Sequence, residues 1–178
     1  LLYLRHDLRC MGKRQCIGPL HVPRFNRKDH VLMLLDILPG QPVVEGRIIE
    51  PKDPSPFVEQ AGSGMHLHVS MADKDGNNAF ASENPEGSPL LRHAIGGMKE
   101  LLGESMGIFA PNANSFRRFK ANSYAPVAPT WGVNNRTVSL RVPAGSPASR
   151  HVEHRICGAD ANPYLAVAAV LAGMHYGM

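Results

Sequence analysis

The sequence predicts a fold of mixed α and β elements, and three stretches carry that prediction. Met65 to Ser70 alternates apolar and polar residues with the two-residue period of a half-buried strand. Ser88-Pro89 reads as an N-cap followed by a first helical residue, and the helix it opens gathers Leu91, Ile95, Met98 and Leu102 on one face. Asn162-Pro163 opens a last helix to about His175 whose many Ala and Gly residues suit close packing.

The remaining elements follow in chain order. Residues 1–56 show weak periodicity and scattered prolines, and their longest apolar run, Val31 to Leu38, is broken by Asp36. The strand at Met65 leads into Asp73-Lys74-Asp75-Gly76-Asn77, whose Asp-Gly step favours a tight hairpin turn. Residues 103–131, rich in Gly, Pro, Asn and Ser, read as a long ordered loop, and such loops in a compact domain tend to be functional. Val138 to Val142 and Val152 to Ile156 read as strands, and no internal repeat is visible.

Composition excludes several classes. A chain of 178 residues that is 43% hydrophobic and 19% charged belongs with globular rather than disordered sequences. No run reaches the roughly 20 apolar residues that a membrane span needs, and no secretory leader is visible at the start, so no membrane partner is expected. Cys10, Cys16 and Cys157 are too few and too odd in number for a disulfide framework, which fits a reducing cytoplasm. A zinc site from Cys10, Cys16, His21 and His30 has unusual ligand spacing. The net charge of +4 invites nucleic acid, yet the later cations (Arg117, Arg118, Arg136, Arg141, Arg150, Arg155) are all arginines without interleaved aromatic platforms. That pattern suits a bidentate grip on carboxylates or phosphates, and no nucleic-acid partner is expected.

Three polar constellations carry candidate chemistry, each with two readings. On the strand of Gly62-Ser63-Gly64-Met65-His66-Leu67-His68-Val69-Ser70, His66, His68 and Ser70 share one face. That face either holds a divalent cation or a phosphorylated ligand, or simply meets water. In Arg150-His151-Val152-Glu153-His154-Arg155, strand geometry puts His151, Glu153 and Arg155 together. Glu153 and Arg155 are then either a surface ion pair worth less than ~1 kcal/mol, or a metal ligand beside a residue that holds an anionic substrate. Arg136 and Arg141 lie five residues apart, so a shared role requires a bulge or that Arg136 precede the strand.

Taken together and in order, these stretches resemble one family. Gly-Ser-Gly-Met-His-x-His-x-Ser is followed by Asn114-Ser115-Phe116-Arg117-Arg118, by Asn135-Arg136-Thr137-Val138-Ser139-Leu140-Arg141-Val142-Pro143, by Glu153-His154-Arg155, and by Ala161-Asn162-Pro163-Tyr164-Leu165. In this order and spacing, from about Phe57 to the C-terminus, the chain resembles the catalytic domain of the glutamine synthetase family.

The resemblance implies an α+β fold in which a curved antiparallel β-sheet is flanked by helices, here the C-terminal part only. It implies Mg²⁺ or Mn²⁺ as cofactor, ATP as co-substrate, and ligation of an amine to the γ-carboxylate of L-glutamate through a γ-glutamyl phosphate. By the same resemblance His66 and Glu153 bind a metal, and His68, Ser70, Arg136 and Arg141 contact ATP. Gly62, Arg118 and Arg155 meet the glutamate, while Arg136 reaches both the transferred phosphoryl group and the substrate. Arginines and a divalent cation suit phosphoryl transfer, in which charge on oxygens must be offset and the protein does little covalent work. A dodecamer-like ring of subunits in the cytoplasm is expected for the full-length family member.

Departures refine the expectation. Counting from Asn114, Tyr124 stands where ammonia-using members carry the glutamate that binds ammonium, and a phenol is neutral near pH 7. With Trp131 nearby, the chain is most similar to the γ-glutamylpolyamine (γ-glutamylputrescine) synthetase branch, with Tyr124 and Trp131 flanking a small amine such as putrescine. Glutamine synthetase proper, using ammonia, is the close alternative, and an inactive fragment that binds only metal or nucleotide is another. Ala61 and Ala148 replace an Asn and a Lys usual in the family. Residues 1–56 do not resemble the family's upstream carboxylate strands and are unassigned, with the composition of an out-of-frame translation or a truncated gene model. Residues 57–178 are read as a partial catalytic domain, clipped at its C-terminus and inactive in isolation.

Overall fold

The structure, a computed structural model, describes residues 32–39 as backbone, together with residues 62–178 apart from Asn122. The cysteine and histidine set at Cys10, Cys16, His21 and His30 lies outside the described residues, as does Ala61.

The alternation at Met65 does fold as a strand. β1 (Leu32–Pro39) and β2 (Met65–Ala72) pair antiparallel, and β2 buries Met65, Leu67 and Val69 while His66, His68 and Ser70 stay half-buried. Past β2, Asp73 caps the expected turn by accepting the amides of Asp75 and Asn77, both at 2.9 Å, and Gly76 takes a positive φ of 86°. The chain then forms α1 (Pro89–Glu100), whose N-cap Ser88 accepts from the Leu91 amide. Leu91, Ala94, Ile95 and Met98 recur at helical spacing on its buried face.

Residues 103–131 hold more structure than a loop, with a one-turn helix α2 (Met106–Phe109) and a 3-10 turn at Ala113–Arg118. Elements this short have no period long enough to show in sequence. The predicted strands shorten to β4 (Leu140–Val142) and β5 (Val152–His154), and β3 (Trp131–Val133) is added. The chain ends in α3 (Pro163–Gly177), where Asn162 accepts the amides of Tyr164 and Leu165. Among the described residues no helix is long and apolar enough to cross a membrane.

The five strands form one sheet in the order β1-β2-β5-β4-β3. The pairs along it are antiparallel except β3–β4, which is parallel. Asn134, at φ 50°, starts the reversal that returns the chain so that β4 runs alongside β3. One apolar face of this sheet (Leu67, Val69, Leu140, Val142, Val152) joins Leu91, Ile95 and Met98 of α1 and Val170 and Met174 of α3 in a single core. α1 and α3 cross on Gly97, Gly173 and Gly177, each of which brings backbone against backbone.

Candidate active site

Strand register builds the site. His68 faces Glu153 across β2–β5, and Glu153 faces Arg141 across β5–β4, so three side chains distant in sequence line one row of the sheet. His66 sits diagonally from Glu153 on β2, Arg155 follows Glu153 by two residues along the same segment, and the two complete the group. His66 Nδ1 lies 3.0 Å and His68 Nε2 3.7 Å from Glu153 Oε1, which also accepts from Arg155 Nη1 at 2.7 Å. Arg141 Nη1 donates to Glu153 Oε2 at 2.8 Å, and its Nη2 donates to Asn134 Oδ1 at 2.8 Å.

This geometry overturns the surface ion-pair reading of Glu153 and Arg155. Glu153 is 3% exposed and Arg155 5% exposed, so both charges are desolvated and depend on each other. Burial pushes the Glu153 carboxyl up, but His66, Arg141, Arg155 and His68 outweigh it and hold it well below the usual carboxylate range. Burial also lowers His68 to about 4 against the pull of Glu153, and lowers the fully buried His154 to about 3.

These shifts predict acid sensitivity. Both histidines are neutral when folded, and an unfolded chain takes up their protons near the ordinary value of 6.5. The stability they contribute is therefore full above pH 6.5 and is lost as pH falls toward 4 and then 3. The loss is up to about 1.4 kcal/mol per pH unit for each group. Glu153, with its lowered value, acts in the same direction below the ordinary 4.5. Melting temperature followed by circular dichroism should hold between about pH 7.5 and 6.5 and fall steadily from there to about pH 4.5, and a flat profile would show that these histidines are not buried neutral.

The other predicted residues fall around this row. Arg118 is 5% exposed at the end of the 3-10 turn, with Nη1 donating to the Ile156 carbonyl at 3.0 Å. A Cβ at Gly64 would lie 2.7 Å from Arg118 Nη2 and 3.4 Å from His66 Nε2, so this glycine admits the guanidinium beside the histidine. Ser115, one turn back, donates to Asp160 Oδ2 at 2.5 Å and ties that turn to the start of α3. Arg136 precedes β4, which meets the condition for a role shared with Arg141; its side chain is exposed and its carbonyl accepts from Arg155 Nη2 at 2.8 Å. Gly62 is exposed just ahead of β2.

Tyr124 and Trp131 are not brought together as a pair. The Tyr124 ring is 72% exposed and Trp131 packs partly on the core, with no aromatic contact between them among the described residues. Only the Tyr124 carbonyl approaches the charged row, 3.5 Å from Arg155 Nη2. Two residues of the site carry little signal in the sequence. Asn134 holds Arg141 from the turn, and only its αL-tolerant residue type hints at it. His151 shares the Glu153 face by strand spacing, but nothing in the sequence gives it a partner.

Beside the row runs an open groove of about 290 Å³ lined by His68, Ser70, Asn78, Ala148, Ser149 and His151. His68 thus belongs to both the charged row and the groove. For a divalent cation, the Glu153 carboxylate is the hard oxygen donor that Mg²⁺ or Mn²⁺ takes, and the His66 imidazole 3.0 Å from it adds a softer nitrogen donor. Among the described residues no group of three or more His, Cys, Asp or Glu side chains is arranged to hold an ion, so His66 and Glu153 would be at most two of the ligands such a cation needs.

Comparison with known proteins decides the family. The model of the glutamine synthetase catalytic domain matches residues 53–178. The chain belongs to the glutamine synthetase family. Within that family it is 49% identical over 123 residues to the gamma-glutamylputrescine synthetase of Escherichia coli strain K12, covering 69% of this chain and 26% of that protein. It is 46% identical over 120 residues to the gamma-glutamylethanolamide synthetase of Streptomyces coelicolor, covering 67% of this chain and 26% of the relative. It is 40% identical over 119 residues to the glutamine synthetase of Pyrococcus woesei, covering 66% and 26%. The chain thus spans about a quarter of the length of the curated relatives it matches.

Proposed function

We propose that residues 57–178 are part of a catalytic domain that ligates a small amine to the γ-carboxylate of L-glutamate at the expense of ATP, with a polyamine such as putrescine as acceptor. The observation that supports this reading best is the row in which Glu153 stands between two histidines and two arginines. A carboxylate is a poor acyl donor, so the reaction needs phosphorylation of the γ-carboxylate before the amine displaces phosphate. His66 and Glu153 would hold the divalent cation, which supplies charge neutralisation for the phosphate oxygens.

The chain's own residues would do the rest by binding and orientation. His68 and Ser70 line the groove in which the nucleotide would lie. Arg118 and Arg155 are buried and pre-positioned, so they would grip the glutamate carboxylates without first losing side-chain freedom. Arg136 stays exposed and free to reach the phosphoryl group and substrate, while Arg141, held on β4 by Glu153 and Asn134, would contact ATP from a fixed position. Tyr124, whose ring is exposed, would meet the incoming amine where an anionic residue would favour ammonium. The acceptor choice also draws support from two relatives whose names specify putrescine and ethanolamide products.

A polypeptide of the relatives' full length containing this sequence should release phosphate from ATP with glutamate and putrescine, and far more slowly with ammonia. Release with ammonia alone would favour glutamine synthetase proper. Tyr124→Glu should shift preference toward ammonia. The 178-residue chain alone, holding only part of a metal shell, should show no steady phosphate release; sustained turnover would overturn the view that it is an incomplete site.

A further inference from the structure

His151 sits at the lip of the groove and touches His68, and the hydrogen bonds around the two rings leave little freedom in where their protons lie. His151 Nδ1 is 2.8 Å from the Ser149 carbonyl, and a carbonyl only accepts, so Nδ1 carries the proton. A neutral imidazole has one N–H, which leaves His151 Nε2 as a lone pair. That lone pair is 3.0 Å from His68 Nδ1, so His68 must donate from Nδ1. With its one proton spent there, His68 Nε2 is bare.

We propose that His151 is a positioning residue that fixes the tautomer of His68 and so presents His68 Nε2 as an acceptor at the junction of the groove and the charged row. A bare nitrogen meets a hydrogen-bond donor of the ligand, a nucleotide hydroxyl or a water on a bound cation, and cannot donate to a phosphate oxygen. His68 Nε2 stands 3.7 Å from Glu153 Oε1, with no proton between them, so the space there favours a donor or a cation. The identity of the ligand rests on the nucleotide reading above; the tautomer does not.

The chain separates the two by nitrogen NMR. Long-range proton–nitrogen correlations of the ¹⁵N-labelled 178-residue protein at neutral pH should show His68 almost wholly in the Nδ1–H form. His151→Phe, checked for folding by circular dichroism, should make that form the minority. His151→Gln should restore it, because the amide oxygen can accept from His68 while its NH₂ donates to the Ser149 carbonyl. A wild-type His68 protonated on Nε2 would overturn the proposal, as would a His151→Phe protein whose His68 stays wholly in the Nδ1–H form. Adding ATP with Mg²⁺ then tests the groove separately. If no groove resonance moves while the tautomer pattern holds, the nucleotide reading fails and the role of His151 stands.

Discussion

Glu153→Ala should lower the stability of the chain by about 3 to 5 kcal/mol, because it strips the shared anion from buried cations. Arg155 and Arg141 each place a guanidinium on this one carboxylate, at 2.7 and 2.8 Å, with side chains 6% and 12% exposed. Without it, both charges stay desolvated and lose their counter-ion. For a chain of this size that corresponds to a fall in melting temperature of roughly 10 °C. Adding Arg155→Met should recover part of the loss by removing one of the stranded cations, so the two changes together cost less than their sum. Thermal melts of the two single variants and the double variant provide the check. A Glu153→Ala protein that melts with the wild type would show that the row is not coupled. Isothermal titration of Mn²⁺ should weaken in the same variant, since the carboxylate donor of the proposed metal pair is gone.

Gly97→Ala should cost about 2 to 3 kcal/mol, although helix propensity alone predicts a gain of about 1 kcal/mol. A Cβ at Gly97 would fall on the Gly173 carbonyl oxygen and the Gly177 amide, and within 2.7 Å of the Gly177 Cα. These are backbone atoms of α3 and cannot rotate aside, so the two helices must part and open the core they close. Its neighbour Gly96 is the internal control. It lies exposed on the same helix, and a Cβ there would meet nothing within 4 Å, so Gly96→Ala should stabilise the chain by about 1 kcal/mol. Denaturant unfolding of the two variants should therefore give opposite signs. Equal signs would mean that α1 and α3 do not cross as closely as described.

Much of the site is legible without the fold. That His66 and His68 share a face needs only the period of a strand, and β2 shows it in its alternating burial. The caps of α1 and α3 are legible because Ser88-Pro89 and Asn162-Pro163 act through bonds two or three residues away. The order of motifs is enough to place the chain in its family, which the match over residues 53–178 bears out. Less local features are not legible. The one-turn helix at Met106–Phe109 and the 3-10 turn at Ala113–Arg118 have too few residues for a period. The parallel pairing of β3 with β4 depends on a reversal at Asn134 that only its positive φ reveals.

Short-range spacing and motif order are enough to show which residues are polar on which face, where the helices start, and the family. What those residues do to one another follows only from the closed fold. Register across β2, β5 and β4 put His68, Glu153 and Arg141 in one row, and burial turned what looked like a surface ion pair into a coupled charge cluster. It also set His151 against His68, and made Gly97 a packing residue rather than a weak point in a helix. One cause underlies all four: charge coupling, proton placement and steric fit depend on distances between segments far apart in the chain, and those distances exist only once the sheet and its helices have closed on one core.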